Sequence, residues 1–425
     1  MVTIKRTKKS FIAYKRLLYS VMLMAFMGSV LTDAMAMDQT NVIKQKLQRL
    51  IVRDHIPGAV LSYKVGDSKL TTLAVGYSVI KPKQKMKTDS LFLVGSISKS
   101  FTSAIILRLI EQGKFSLNET LGSIAKDYNG HIRNLVSKYP SLAPMSVKEL
   151  LDHTSGVPQS INTKTLKTLF AQNPHTYFSS LQLMQIAMQH KVYFSPGKKG
   201  LWSYTNTDYI LLGLIIEDVT GKSFATNFNM LLKIIGIEKL YLANKGLISP
   251  DIIKEVVSGY MLTNTPGLMA KAFHENPVVN VAGKKMFQIN AGMFNVFSPA
   301  ASGVIASAPA IVRWYDVLFY GNLLTKKTLK DLITPVPNGK YNQAGYALGV
   351  SVHRYPGLGQ VISHDGLEPG YSGVVMNFPK EKLILAIMTN ASTDKVSTFN
   401  VHNGAIIPGL VTHLLPMILK RHPHA

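Results

Sequence analysis

The sequence predicts an α+β fold, with one antiparallel sheet assembled from both ends of the chain, flanking helices, and an inserted, mostly helical region. Two observations place the elements. Strand-like runs lie near the start, at 59–77, and return near the end, at 347–389. The stretch between carries helical periodicity and loop chemistry. A third shows that the chain can build a core: 46% of its 425 residues are hydrophobic and only 16% are charged, which excludes intrinsic disorder. At roughly 100–200 residues per domain, two or three structural units are expected.

The elements follow in order. Residues 1–36 read as a secretory signal peptide. A basic stretch from Lys5 to Arg16 leads into the apolar Leu17–Met27, and Ala34-Met35-Ala36 has the small-x-small pattern that a signal peptidase cuts after. At 11 residues this apolar run is shorter than the ~20 of a spanning helix. Export across the inner membrane into a bacterial periplasm is the expected location. Residues 38–56 have helical spacing (Val42, Leu47, Leu50, Ile51), broken by Pro57-Gly58. Ala59–Val65 and Leu70–Tyr77 form a hairpin pattern around Gly66-Asp67, followed by a basic loop at Lys81–Lys87. The helical pattern of 97–112 stops at Gly113. Helices are then expected at Ser180–Lys191, Asp208–Thr220 and Ala308–Tyr320. Strand patterns return only at Ala347–Arg354, Gln360–Ser363, Tyr371–Phe378 and Leu383–Thr389, with Pro379–Lys382 as the last turn. The apolar tail from Ile406 to Arg421, interrupted by Pro408 and Pro416, reads as a C-terminal helix packed on the sheet. Residues 37–95 with 336–425 would form the sheet-containing part, and 96–335 the mostly helical part. A site is expected in the cleft between them.

Composition removes several kinds of chemistry. The absence of Cys excludes a disulfide scaffold, thiol catalysis, Cys-based zinc sites and iron–sulfur clusters. No H-E-x-x-H or comparable ligand cluster is present, so no metal or cofactor is expected. Net charge is +24, and the chain beyond residue 36 keeps 41 basic residues against 22 acidic ones. That balance suits peripheral contact with anionic wall polymers or membrane headgroups. No nucleic-acid-binding signature accompanies it, so nucleic acid is not an expected partner. Oligomeric state is not legible.

Three short motifs carry chemistry. Ser96-Ile97-Ser98-Lys99 follows a strand-like Leu91–Gly95 and opens a helix. Ser96 then lies at a helix N-terminus, with Lys99 one turn on and on the same face. A serine hydroxyl needs a base within hydrogen-bond reach, and a buried lysine can lose its proton. The bland alternative is an N-cap serine beside a solvated lysine. In Tyr204-Thr205-Asn206 a tyrosine held near a lysine can act as phenolate or proton shuttle, and Asn206 can donate to a substrate carbonyl. In His364-Asp365-Gly366 the glycine allows close backbone approach, and the following amide, Leu367, can join that of Ser96 as an oxyanion hole.

The order S-x-x-K, Y-x-N, H-x-G resembles the serine β-lactamase and penicillin-binding protein superfamily, in which S-x-x-K carries the nucleophile. The detail is most similar to the class C branch, with its D-Ala-D-Ala carboxypeptidases and esterases. Leu150-Leu151-Asp152-His153-Thr154-Ser155-Gly156, Phe194-Ser195-Pro196-Gly197 and the Tyr209–Gly221 run match as well, and the resemblance covers about residues 40–395. It implies a β-lactamase/transpeptidase-like fold, Ser96 as acylated nucleophile, and Lys99 and Tyr204 sharing the proton work. It also implies Asn206, His364 and Gly366 at the substrate, while His153 reads as structural. The implied function is a periplasmic serine hydrolase resembling D-alanyl-D-alanine carboxypeptidases. A β-lactamase, a carboxylesterase or a slowly acylating wall-fragment or β-lactam binding protein are the alternatives. Expected substrates are a D-Ala-D-Ala peptide, a β-lactam or an ester. One departure matters: class C β-lactamases usually carry K-T-G where this chain has His364-Asp365-Gly366, while some D-Ala-D-Ala carboxypeptidases and esterases of the branch carry H-x-G. A histidine there is mostly neutral at pH 7 and Asp365 would repel a carboxylate.

Overall fold

The strand patterns at the two ends meet in one nine-stranded sheet. This is seen in a computed structural model, which describes residues 39–160, 178–243, 249–264, 273–290, 298–337, 344–355, 357–392 and 406–421, with isolated positions between 165 and 172. The signal-peptide reading of residues 1–36 lies outside them. N-terminal β1 (Gly58–Val65), β2 (Thr71–Val79) and β3 (Gln84–Lys85) join C-terminal β10 (Val336–Pro337), β11 (Ala344–Tyr346), β12 (Ser351–Tyr355), β13 (Gly359–Glu368), β14 (Tyr371–Phe378) and β15 (Leu383–Thr389). The order is β10-β11-β12-β13-β14-β15-β1-β2-β3, and every pair is antiparallel. The closing contact is β1 on β15, from Ala59 opposite Thr389 to Val65 opposite Leu383.

Strand alternation divides this sheet between two cores. Val60, Val375, Ile384, Ala386 and Met388 face the larger core, shared with the helices of the middle region. Leu61, Tyr63, Val374, Met376, Leu385 and Ile387 face the second. There the helix at 39–53 and the C-terminal helix Ile406–Arg421 supply Ile43, Leu47, Leu410, Leu414 and Ile418. With both faces covered, every residue of β14 and β15 is buried, and β15 reads as a nearly continuous apolar run instead of an alternating one.

Several expectations need correction. Strands do not return only near the end: β5 (Leu240–Leu242), β6 (Gly259–Leu262), β7 (Val278–Val281), β8 (Lys284–Ile289) and β9 (Val304–Ser307) lie in the region expected to be mostly helical. They are short and belong to two small sheets, β16-β6-β8-β7 (β16 being Ala391–Ser392) and β4-β9-β5. Short strands between helices leave too little period-2 pattern to count. β4 (Leu91–Leu93), which leads into Ser96, pairs with β9 and not with the large sheet. Of the pattern at Ala347–Arg354 only residues 351–354 are strand, in β12; residues 347–350 form the turn from β11, where the Ala347 N–H donates to the Val350 carbonyl and Gly349 takes φ +91°. The expected Ser180–Lys191 helix ends at Ala187. Ala308–Tyr320 is a helix as expected, started by Ser307 accepting from the Ala310 N–H, and it packs on β1 and β15. Among the described residues no helix is long and apolar enough to cross a membrane.

Candidate active site

Ser96 sits in a tight turn, not in the α-helix itself. Gly95–Ser98 is a 3-10 turn, and the helix proper is Lys99–Glu111. The turn is anchored from below. The Val94 N–H donates to the Val304 carbonyl (3.1 Å), and the Ser98 hydroxyl donates to the Gly95 carbonyl (2.6 Å) while accepting from the Val304 N–H (3.0 Å). Ser96 caps nothing. Its hydroxyl lies 3.0 Å from Lys99 Nζ and accepts from the Tyr204 hydroxyl (2.8 Å). Lys99 has no exposed surface. The reading of a capping serine beside a solvated lysine therefore fails on both residues.

The partners of Lys99 constrain its proton. Nζ also donates to Asn206 Oδ1 (2.6 Å) and to the Ala301 carbonyl (3.0 Å). Burial pushes its pKa down to about 7, against the opposing pull of the Glu368, Asp208 and Asp365 carboxylates. Asn206 Oδ1 and the Ala301 carbonyl can only accept. A neutral Lys99 amine therefore spends its two N–H groups on them and turns its lone pair toward Ser96. Tyr204 is different: burial holds its phenol well above the ordinary value of 10, so it rests protonated and donates to Ser96. The phenolate reading does not apply to the resting site.

Asn206 opens the helix Asn206–Thr220, which Thr205 caps by accepting from the Thr207 N–H. The tyrosine is thus held in the loop just before a helix, and the asparagine in its first turn.

The third motif lies inside a strand, not at its end, because β13 runs on to Glu368. β12 pairs only with residues 359–363, while β14 pairs with 362–368. Among the described residues no strand covers the other edge of 364–368. Backbone approach on this stretch is very close. A Cβ on Gly366 would lie 1.9 Å from the Val94 carbonyl oxygen, and one on Gly95 (φ +53°) 2.6 Å from the Leu367 nitrogen. Glycine at both positions lets the oxyanion candidate Leu367 lie against the Ser96 turn.

His364 Nδ1 lies 2.6 Å from the Asp365 carbonyl, which can only accept, so Nδ1 carries the proton. Nε2 then accepts from the Tyr346 hydroxyl (2.9 Å). Burial and Lys99 push His364 down to about 3, so it is neutral with both ring nitrogens engaged. Asp365 pairs across the sheet with Val374 of the second core, while His364 pairs with Val375 of the larger one. Alternation therefore places Asp365 on the face opposite His364.

Several residues at the site carried no usable sequence signal. Gln159 Oε1 accepts from the Asn206 N–H (3.1 Å), and Tyr346 and the Ala301 carbonyl hold the groups described above. Asp208 is buried under His153 (2.7 Å to Nδ1) and Ser155 (2.5 Å). Their contribution depends on distant segments meeting. Among the described residues no three His, Asp or Glu side chains gather closely enough to hold a metal.

A serine in a tight turn, a buried lysine, a loop tyrosine and a glycine-bearing strand edge meet at one place. The Beta-lactamase family model matches residues 40–400, and the chain belongs to that family. Among curated proteins it is similar to penicillin-binding protein 4* of Bacillus subtilis (strain 168), 26% identical over 345 residues, covering 79% of this chain and 68% of that one. Protein flp of Staphylococcus aureus (strain N315) is 23% identical, covering 90% and 68%. Among solved structures, D-amino acid amidase from Ochrobactrum anthropi SV3 superposes with a TM-score of 0.72 at 21% identity, covering 91% of this chain and all of that one. A D-stereospecific amidohydrolase from Streptomyces reaches 0.63 at 24% identity, covering 82% and 94%. The fold is the β-lactamase/transpeptidase-like one.

Proposed function

We propose that this protein hydrolyses an acyl bond through a covalent acyl-enzyme on Ser96. The observation that carries this is the convergence on one hydroxyl of the Lys99 amine at 3.0 Å and the Tyr204 phenol at 2.8 Å. As Ser96 Oγ attacks the carbonyl carbon, its proton passes to the neutral Lys99 amine, and the carbonyl electron pair moves onto oxygen. The N–H groups of Ser96 and Leu367 hold that oxyanion. On collapse, the bond to the leaving group breaks. The leaving atom takes the Tyr204 proton, which the Lys99 ammonium replaces. Water then attacks the ester by the same route and frees Ser96.

The substrate class follows from the third motif. A D-Ala-D-Ala peptide or a β-lactam presents a free carboxylate, for which the K-T-G pattern supplies a permanent cation. His364 is neutral and engaged, so it supplies none. The reading that fits best is an amidase or esterase acting on amides or esters of D-amino acids whose leaving group bears no carboxylate. The D-stereospecific amidases of similar fold support that direction. D-Ala-D-Ala carboxypeptidase activity is the second reading, favoured by the likeness to penicillin-binding protein 4*. Export to the periplasm is proposed from residues 1–36.

Intact-mass spectrometry tests the nucleophile and the substrate class together. The protein and Ser96→Ala are mixed in parallel with a penicillin and with amides and esters of D-amino acids. Turnover of the amide or ester that disappears in Ser96→Ala, with little penicillin adduct, is the expected result. A rapid, lasting penicillin adduct on the wild type would move the carboxypeptidase reading to first place. Equal turnover by the two proteins would remove Ser96 as nucleophile.

A further inference from the structure

His153, read from sequence as structural, occupies a position that an ordinary core histidine would not need. It closes the helix Val147–Asp152 in the left-handed conformation (φ +64°), which a residue with a Cβ seldom adopts. Its side chain is fully buried, and Nε2 has no hydrogen-bond partner among the described residues. Both features are unfavourable, and backbone strain of this kind gathers at functional sites.

What they achieve is local. The left-handed turn aims the His153 carbonyl at the Ser203 N–H (3.1 Å), one residue before Tyr204. It also lays the imidazole against the Tyr204 ring, with centroids 4.3 Å apart. The ring is fixed from behind by Asp208, whose Oδ2 lies 2.7 Å from Nδ1 in a buried hydrogen bond and whose Oδ1 accepts from the Ser155 hydroxyl at 2.5 Å. Asp208 is two residues beyond Asn206, in the first turn of the same helix. The Trp202 indole N–H adds a third tie, to the Asp152 carbonyl at 2.9 Å. One unit therefore carries both the Tyr204 hydroxyl on Ser96 and the Asn206 oxygen on Lys99.

We infer that His153 is a positioning residue for Tyr204, with Asp208 holding the imidazole in the orientation that seats the phenol over Ser96. This rests on the roles proposed for Ser96 and Tyr204. It needs no proton to move through His153: burial and the neighbouring Lys99 and His364 keep the imidazole neutral.

The test reads the rate of Ser96 phosphonylation by a fluorophosphonate, in which the Ser96 oxygen bonds to phosphorus and fluoride leaves. It is run on the full chain and on His153→Ala, Asp208→Ala and Asp208→Asn. Asp208→Asn keeps an oxygen for the His153 Nδ1–H. The limiting rate is expected to fall on the order of 10- to 100-fold in His153→Ala and Asp208→Ala, because small misplacements at a reacting centre cost about that much. The half-saturating probe concentration should stay within about twofold, and Asp208→Asn should recover most of the rate. Circular dichroism identifies the folded variants. If His153→Ala does not fold, the contrast between the two Asp208 variants decides. Wild-type rates in the alanine variants, or Asp208→Asn as slow as Asp208→Ala, would overturn the inference and leave the proposed function standing. A wild type that does not label at Ser96 would overturn both.

Discussion

In the proposed mechanism Lys99 must be neutral to take a proton from Ser96, and burial is what lowers its pKa far enough for that. Its pKa, about 7 in place of 10.5, places the change inside the working range. Acylation of Ser96 should therefore rise with pH through about 7 and level off above it. The measurement is the labelling rate from pH 5 to 9. Lys99→Arg keeps a cation that does not deprotonate, and should lose at least about 100-fold at every pH. The same shift bears on stability. Between about 7 and 10.5 the unfolded chain binds a proton that the folded site does not. Stability attributable to Lys99 therefore increases as pH rises across that window, and below pH 7 its burial is a full cost. A pH profile that stays flat through 7 would place the base elsewhere.

At the scale of elements, the site is made by a turn and a strand edge meeting without side chains between them. The strand edge at 364–368 and the Ser96 turn touch through Gly366 and Gly95. Gly366→Ala would put a methyl group 1.9 Å from the Val94 carbonyl oxygen, where backbone faces backbone and neither side can yield cheaply. The expected outcome is loss of Ser96 labelling of at least about tenfold, through separation of the Leu367 amide from Ser96. Stability should fall by about 1–3 kcal/mol, as overpacking typically costs. Thermal melting and labelling rate check the two parts. A variant with wild-type labelling would remove the close approach of β13 from the mechanism.

The large sheet has a core on each face, and a small third cluster lies in the β6–β8–β7 sheet. The second core joins the two ends of the described chain: the helix at 39–53 and β1 from one, β15 and the C-terminal helix from the other. Leu414 is fully buried in it and far from the site in the fold's layering. Leu414→Ala should cost about 2–5 kcal/mol by removing buried methyl groups and leaving a cavity. Below the new melting transition, the labelling rate of Ser96 should be unchanged. A selective loss of labelling without a drop in melting temperature would mean that the second core acts on the site and not only on stability.

The sequence by itself singled out the side chains that gather around Ser96. Ser96, Lys99, Tyr204 and Asn206 were legible because each sits at a local signal, a strand–glycine–helix junction or a capped helix start, and they meet as read. It determined the long strands β14 and β15 and the helix Ala308–Tyr320, whose periods or caps span enough residues to register. The short strands between 240 and 307 were not legible, because strands of three to six residues owe their form to partners and not to pattern. The extent of β13 was misjudged for a related reason. Asp365 and Gly366 are poor strand formers, and β14 holds them in the ladder. Only the tertiary structure decided the charge state of the site. Burial sets the protonation of Lys99, Tyr204 and His364, and burial depends on which segments close over a residue. The same holds for His153: the motif named it, but Tyr204 and Asp208, more than 50 positions away in sequence, are what give its ring a task.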